Sequence, residues 1–170
     1  MRWYQILFLF LLFSCETNDT IKIGEYLFQT PDWWDDIEVS IPESIKTKDE
    51  VSKYITIKYG GEVGTIQTWK YALKSWVIFE EKTKGFPVFI GHCFSKGEDH
   101  SSAAKVYSDL YFLANTQKED EYWYKCYLAF NAGEEYTKLK DFEKAITWYS
   151  YSNEVRHKKP DDSAIMYYAQ

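Results

Sequence analysis

Two stretches in the second half of the chain repeat the same residue types at one constant offset. Around Asp99 the sequence reads IGHCFSKGEDHSSAAKVY, and around Asp141 it reads AGEEYTKLKDFEKAITWY. Without a gap, Gly91, Phe94, Asp99, Ala103 and Tyr107 fall on Gly133, Tyr136, Asp141, Ala145 and Tyr149. Each copy places a glycine and an aromatic residue three positions later on one helix. A turn follows, and then a small residue and an aromatic four positions apart on a second helix. Residues three and four apart share a helix face, and a small residue lets two backbones approach while the aromatic fills the space beside it. One such helix pair cannot bury its apolar face alone, so the pattern implies stacked pairs. The fold class expected is therefore all-α, with helices over residues 48–59, 63–83, 87–95, 101–115, 120–138, 142–156 and 163–168. Asp99 and Asp141 each stand where a side chain caps the helix that follows. The last short helix is expected to close the apolar end of the stack.

These residues resemble the tetratricopeptide repeat. Gly133, Tyr136, Ala145 and Tyr149 occupy that repeat's glycine, first aromatic, small and second aromatic positions. In the preceding copy Ile90 and Gly91 match its Leu-Gly pair, with Phe94, Ala103 and Tyr107 following at the right intervals. Ala129 and Pro87 stand where the repeat usually has Trp, and Pro160 comes later than its closing Pro. A weaker third copy precedes these, with Ile66, Trp69, Ala72 and Leu73 in its second helix and Thr65 in place of the small residue. The resemblance implies a short solenoid of two to three helix pairs. It also implies that the first helix of each pair lines a concave, partner-binding groove. On the helix over 120–138 that face carries Tyr124, Tyr127 and Asn131, the candidate partner-binding residues, although an aromatic stripe at this spacing also suits a core.

The chain has 170 residues, enough for one modest core, and 45% of them are hydrophobic. Its formal charge of −6 argues against nucleic acid, whose binding depends on Lys and Arg displacing counterions. The first fifteen residues, MRWYQILFLFLLFSC, read as an address. Arg2 supplies the positive start, and the apolar run from Ile6 to Phe13 is far shorter than the roughly 20 residues that span a bilayer. Leu12, Phe13, Ser14 and Cys15 resemble the lipobox of bacterial lipoproteins, with Phe13 larger than that pattern usually has. This resemblance implies a signal peptide over residues 1–14, acylation of Cys15, and membrane anchoring in the cell envelope by lipid on the periplasmic or extracellular side. The alternatives are a plain cleavable signal and an uncleaved anchor.

Residues 15–46 show no helical periodicity, and Pro31 and Pro42 interrupt them, so they read as a tether followed by an irregular or short extended segment, with the helical domain over 47–170. Within them Trp33 and Trp34, in DWWDD, either cap the open end of the core or form an aromatic sugar platform. Beyond Cys15, Cys93 and Cys126 either pair or act as small hydrophobes.

Catalytic and metal-binding patterns are thin. His92, His100 and His157 have no helical metal-site spacing, and the adjacent His92 and Cys93 point to different helix faces. The acidic turn Gly97 to His100 reads as an inter-helix turn with a cap. Neither a catalytic residue, a metal nor a cofactor is expected. The function expected is a non-catalytic lipoprotein adaptor that takes a protein or peptide partner in a helical groove. Two alternatives remain: a small envelope protein that recognises or neutralises one fixed partner through an acidic surface, and a glycan-binding lipoprotein.

The anchor is directly testable. Replacing the acceptor thiol, Cys15→Ser, is expected to shift the protein out of the detergent-rich phase, because acyl chains at about 0.8 kcal/mol per buried methylene supply the membrane affinity. Unchanged processing and partitioning would remove the lipoprotein reading.

Overall fold

A computed structural model describes residues 19–59, 68–114 and 119–157. These form a two-stranded hairpin, β1 (Thr20–Ile23) and β2 (Tyr26–Gln29), followed by six helices: α1 (Lys48–Tyr59), α2 (Trp69–Thr83), α3 (Val88–Lys96), α4 (His100–Leu113), α5 (Glu119–Lys138) and α6 (Phe142–His157). The protein is mostly helical, and each helix packs against the next in sequence. Among the described residues no helix is long and apolar enough to cross a membrane. Cys15, Thr65, Ile66, Pro160 and the helix expected over 163–168 lie outside the described residues.

Local chemistry sets the helix ends. The amide nitrogens of Lys46 and Thr47 both donate to the Glu50 carboxylate, at 2.8 and 2.9 Å, and the Glu50 amide donates back to Thr47 Oγ1 at 3.3 Å. This reciprocal capping box starts α1. Asp99 accepts from the Ser102 amide at 3.0 Å and Asp141 from the Lys144 amide at 3.2 Å, so both expected caps form. Pro87 stands immediately before α3.

The repeat holds in three dimensions over α3–α4 and α5–α6. Glu98 and Lys140 occupy equivalent places in the two turns, and both take φ of 61°. The next amide closes each turn in the same way, from Asp99 to the Phe94 carbonyl and from Asp141 to the Tyr136 carbonyl, each at 3.0 Å. The helices cross where the sequence has its glycine. A methyl on Gly91 would lie 2.5 Å from Tyr107 Cε1, and one on Gly133 would lie 2.7 Å from Tyr149 Cε1. Ala103 and Ala145, the paired small residues, are both buried. The two units are not identical, since α3 has 9 residues and α5 has 20.

The stretch read as a tether followed by an irregular or short extended segment contains two short strands and contributes side chains to the core. Gly24, at φ 58°, takes the first place of a two-residue loop, where a hairpin needs a residue that tolerates the left-handed region. The strands pair antiparallel from Thr20↔Gln29 to Ile23↔Tyr26, which puts Ile23, Tyr26 and Phe28 into the core. Phe28 sits 5.4 Å from Trp34 and 6.3 Å from Phe94 between ring centroids. The hairpin and the following coil cover the face of α2 and α4 that the helices leave open. Trp34 and Trp33 cap that core: Trp34 is buried, and Trp33 meets Trp69 edge-on at 5.3 Å. Lys74 fixes the coil by donating to the Trp34 carbonyl at 2.6 Å.

The two glycine crossings differ in how far their tyrosines can yield. Tyr107 is 1% exposed, and its hydroxyl lies 3.1 Å from His92 Nδ1, whereas Tyr149 is only half-buried. Gly→Ala inside a helix gains about 1 kcal/mol of propensity, against an overpacking cost of about 1–3 kcal/mol. Gly91→Ala is therefore expected to destabilise the domain by about 1–2 kcal/mol and Gly133→Ala by less than about 0.5 kcal/mol. Urea midpoints check this, and equal losses in both variants would contradict the difference in confinement.

Candidate functional site: an aromatic cavity along α3 and α5

Helices α3 and α5 frame a partly open cavity of about 450 Å³. Val88, Phe89 and His92 of α3 line it, as do residues from Trp123 to Phe130 of α5. Lys48, at the start of α1, and Ser152 and Arg156, near the end of α6, complete the lining. Its size falls within the roughly 300–1,000 Å³ usual for ligand sites.

Packing behind the walls holds the rings in place. Phe89 stacks on the buried Trp76 at 4.2 Å with their planes 6° apart. Tyr124 leans on Phe86 at 5.5 Å. At the α5–α6 side, Ser152 Oγ donates to the Cys126 carbonyl at 3.0 Å, and Cys126 Sγ faces the Ser152 carbonyl at 3.4 Å. His92 ties three helices together: Nδ1 lies 3.1 Å from the Tyr107 hydroxyl of α4, and Nε2 lies 2.7 Å from the Tyr127 hydroxyl of α5. Burial, helped by the Lys96 charge, pushes the His92 pKa below its ordinary value of 6.5. The ring is thus neutral at pH 7, with one nitrogen donating and the other accepting.

The expected site residues divide. Tyr124 and Tyr127 both line the cavity, with Tyr124 41% exposed. Asn131 does not line it: its amide donates to the Tyr127 carbonyl one turn back, at 2.8 Å, so it fixes the local helix instead of facing a ligand. Sequence periodicity missed Lys48 and Arg156, which stand at opposite ends of the described helices. It also missed Phe89 and His92 as wall residues, though the repeat resemblance implied that their helix, the first of its pair, lines the groove.

Burial keeps three groups in or beside the cavity, Cys93, Tyr107 and Tyr127, protonated. Burial pushes the Cys93 thiol far up, and a thiolate is what reacts. Burial likewise raises Tyr107 and Tyr127 above the usual phenol value. Cys93 and Cys126 are both free thiols, so the pairing left open by the sequence does not occur. Among the described residues no group of three or more His, Cys, Asp or Glu side chains is arranged to hold a metal. The acidic turn ends in structural bonds, with Asp99 capping α4 and His100 Nδ1 donating to Glu135 Oε2 at 2.7 Å. No protein-family model, curated protein or solved structure matches the chain, so the geometry of the site carries its interpretation.

Two buried carboxylates of the fold behave oppositely. Glu80 has a fully buried side chain with Lys48 Nζ 3.3 Å away. Burial raises its carboxyl, and the Lys48 charge only partly counters that. Glu135 is 2% exposed. Burial alone would raise it too, but hydrogen bonds from Lys138 (2.8 Å), Ser95 (2.7 Å) and His100 hold it below its ordinary 4.5. A lowered folded-state value means that this carboxylate stabilises the fold above the unfolded-state value, and that the stabilisation is lost as pH falls through the folded one. Glu135→Gln is expected to cost about 1–3 kcal/mol at pH 7. The gap to the parent protein should shrink as pH falls below about 4.5, as urea unfolding at pH 7 and pH 4 would show. A gap independent of pH would contradict this role for the charge.

Proposed function

We propose that this chain is a non-catalytic lipoprotein of the bacterial cell envelope that captures a protein or peptide partner in the groove along α3 and α5. In this reading acyl chains on Cys15 hold it on the periplasmic or extracellular side of a membrane. The helices form a short tetratricopeptide-like stack whose first helices carry the binding face. The observation that carries the reading is the placement of Tyr124 and Tyr127 in one aromatic cavity of about 450 Å³ together with residues of α3. Aromatic side chains in a partly open pocket are the usual anchors of binding energy. A groove of this kind holds its partner mainly by apolar burial, so capture should weaken little as salt rises.

The test is a capture experiment on detergent-solubilised envelope. The parent protein is expected to retain one discrete partner, and Tyr124→Ala to reduce that retention about tenfold or more while its melting temperature stays within a few degrees. Undiminished retention by a folded Tyr124→Ala variant would move the binding face elsewhere, and steep loss of the partner with salt would favour an acidic contact surface.

A further inference from the structure

The charges around the cavity have the opposite sign to those of the protein as a whole. The chain carries 26 acidic against 20 basic residues, yet the described residues of the lining include two cations, Lys48 and Arg156, and no carboxylate. The two cations are not equivalent. Lys48 is committed to Glu80 at 3.3 Å and lies 5.5 Å from the centre of the Phe89 ring. Arg156 is exposed and makes no ion pair with any described residue. It lies one helical turn beyond Ser152, which shares the lining, so the guanidinium belongs to the edge of an apolar space.

We infer that the cavity selects a partner segment in which a large apolar side chain lies next to a carboxylate. This rests on the groove reading and names the chemistry of what fills it. The aromatic walls take the apolar side chain. The uncommitted guanidinium of Arg156 takes the carboxylate through its planar fork of donors, a geometry that Lys does not offer. The Tyr127 hydroxyl, held by His92 at 2.7 Å, adds a polar group to the same lining. A basic segment would meet Arg156 with no carboxylate among the described lining residues to offset it. The surrounding acidic surface would attract such a segment at long range, so the preference is local to the cavity and opposite to the preference of the whole surface. The carboxylate is that of an Asp or Glu side chain within the partner segment, since a partly open cavity lets the chain run on past it.

Isothermal titration of the full chain in zwitterionic nanodiscs with four short peptides distinguishes the cases. All contain Phe-Leu in a Gly-Ser background. One ends there with a free carboxylate, one is amidated, one is amidated with Asp before the Phe, and one is amidated with Lys in that place. The Asp peptide is expected to bind about tenfold tighter than the Lys peptide, and tighter binding of the free-carboxylate peptide alone would overturn the side-chain source in favour of a C-terminus. Arg156→Glu, a change at an exposed position, is expected to erase the preference without altering circular dichroism. Equal binding of the acidic and Lys peptides, or a preference that survives Arg156→Glu, would overturn the charge selection and leave the groove intact. Failure of every peptide to bind would overturn this inference. If Tyr124→Ala then also captures partner normally, the groove reading falls with it.

Discussion

The close approach of consecutive helices at a glycine lying against a tyrosine ring is the contact on which the rest of this structure depends. At Gly91 a single added carbon would sit 2.5 Å from the Tyr107 ring, so the distance between α3 and α4 is set by the absence of a side chain. The same contact recurs at Gly133 and Tyr149 between α5 and α6. Once both pairs are closed this tightly, the relation between α3 and α5 follows from how the pairs stack. Two polar links then connect them: His92 to Tyr127 in the cavity wall, and Ser95 to Glu135 nearer the turns. Apolar burial drives the stacking, and these hydrogen bonds select one register within it, because each would leave a buried polar group unpaired if the helices slid.

The helices leave an apolar face of α2 and α4 uncovered, and here a non-helical segment covers it. Ile23, Tyr26, Phe28 and Trp34 enter the same core as α2, α3 and α4. The hairpin is too short to be stable alone, since an isolated two-stranded ribbon is marginal in water. Its stability comes from the helices it covers, and in return it removes their apolar face from solvent.

The cavity combines aromatic surface with several neighbouring groups held uncharged by burial. Burial keeps the Cys93 thiol and the Tyr107 and Tyr127 phenols protonated, and keeps His92 neutral. Groups in these states pack and hydrogen-bond but do not attack. The same desolvation that makes Glu80 costly ties down Lys48, which leaves Arg156 as the cation at the rim that is not already engaged.

The sequence by itself determined what depends on neighbours a few positions apart. The helix over 48–59 has the expected bounds, and α6 ends within one residue of its expected end, because caps and turns act through bonds spanning three or four residues. The glycine, aspartate and tyrosine register of the repeat was legible for the same reason, and so was the face that carries Tyr124 and Tyr127. The role of the segment before residue 47 was not. Its strands have four residues each, too few for their alternation to stand out, and their partners on α2 and α4 lie far along the chain. Asn131 shares a helix stripe with the two tyrosines yet turns back to the Tyr127 carbonyl, since a short amide bonds locally when its own backbone is within reach. Only the tertiary structure decided that Lys48 and Arg156 border one cavity. A cavity is the space left between stacked helices, and no periodicity along a single helix encodes its shape or the residues that distant helices bring to its edge.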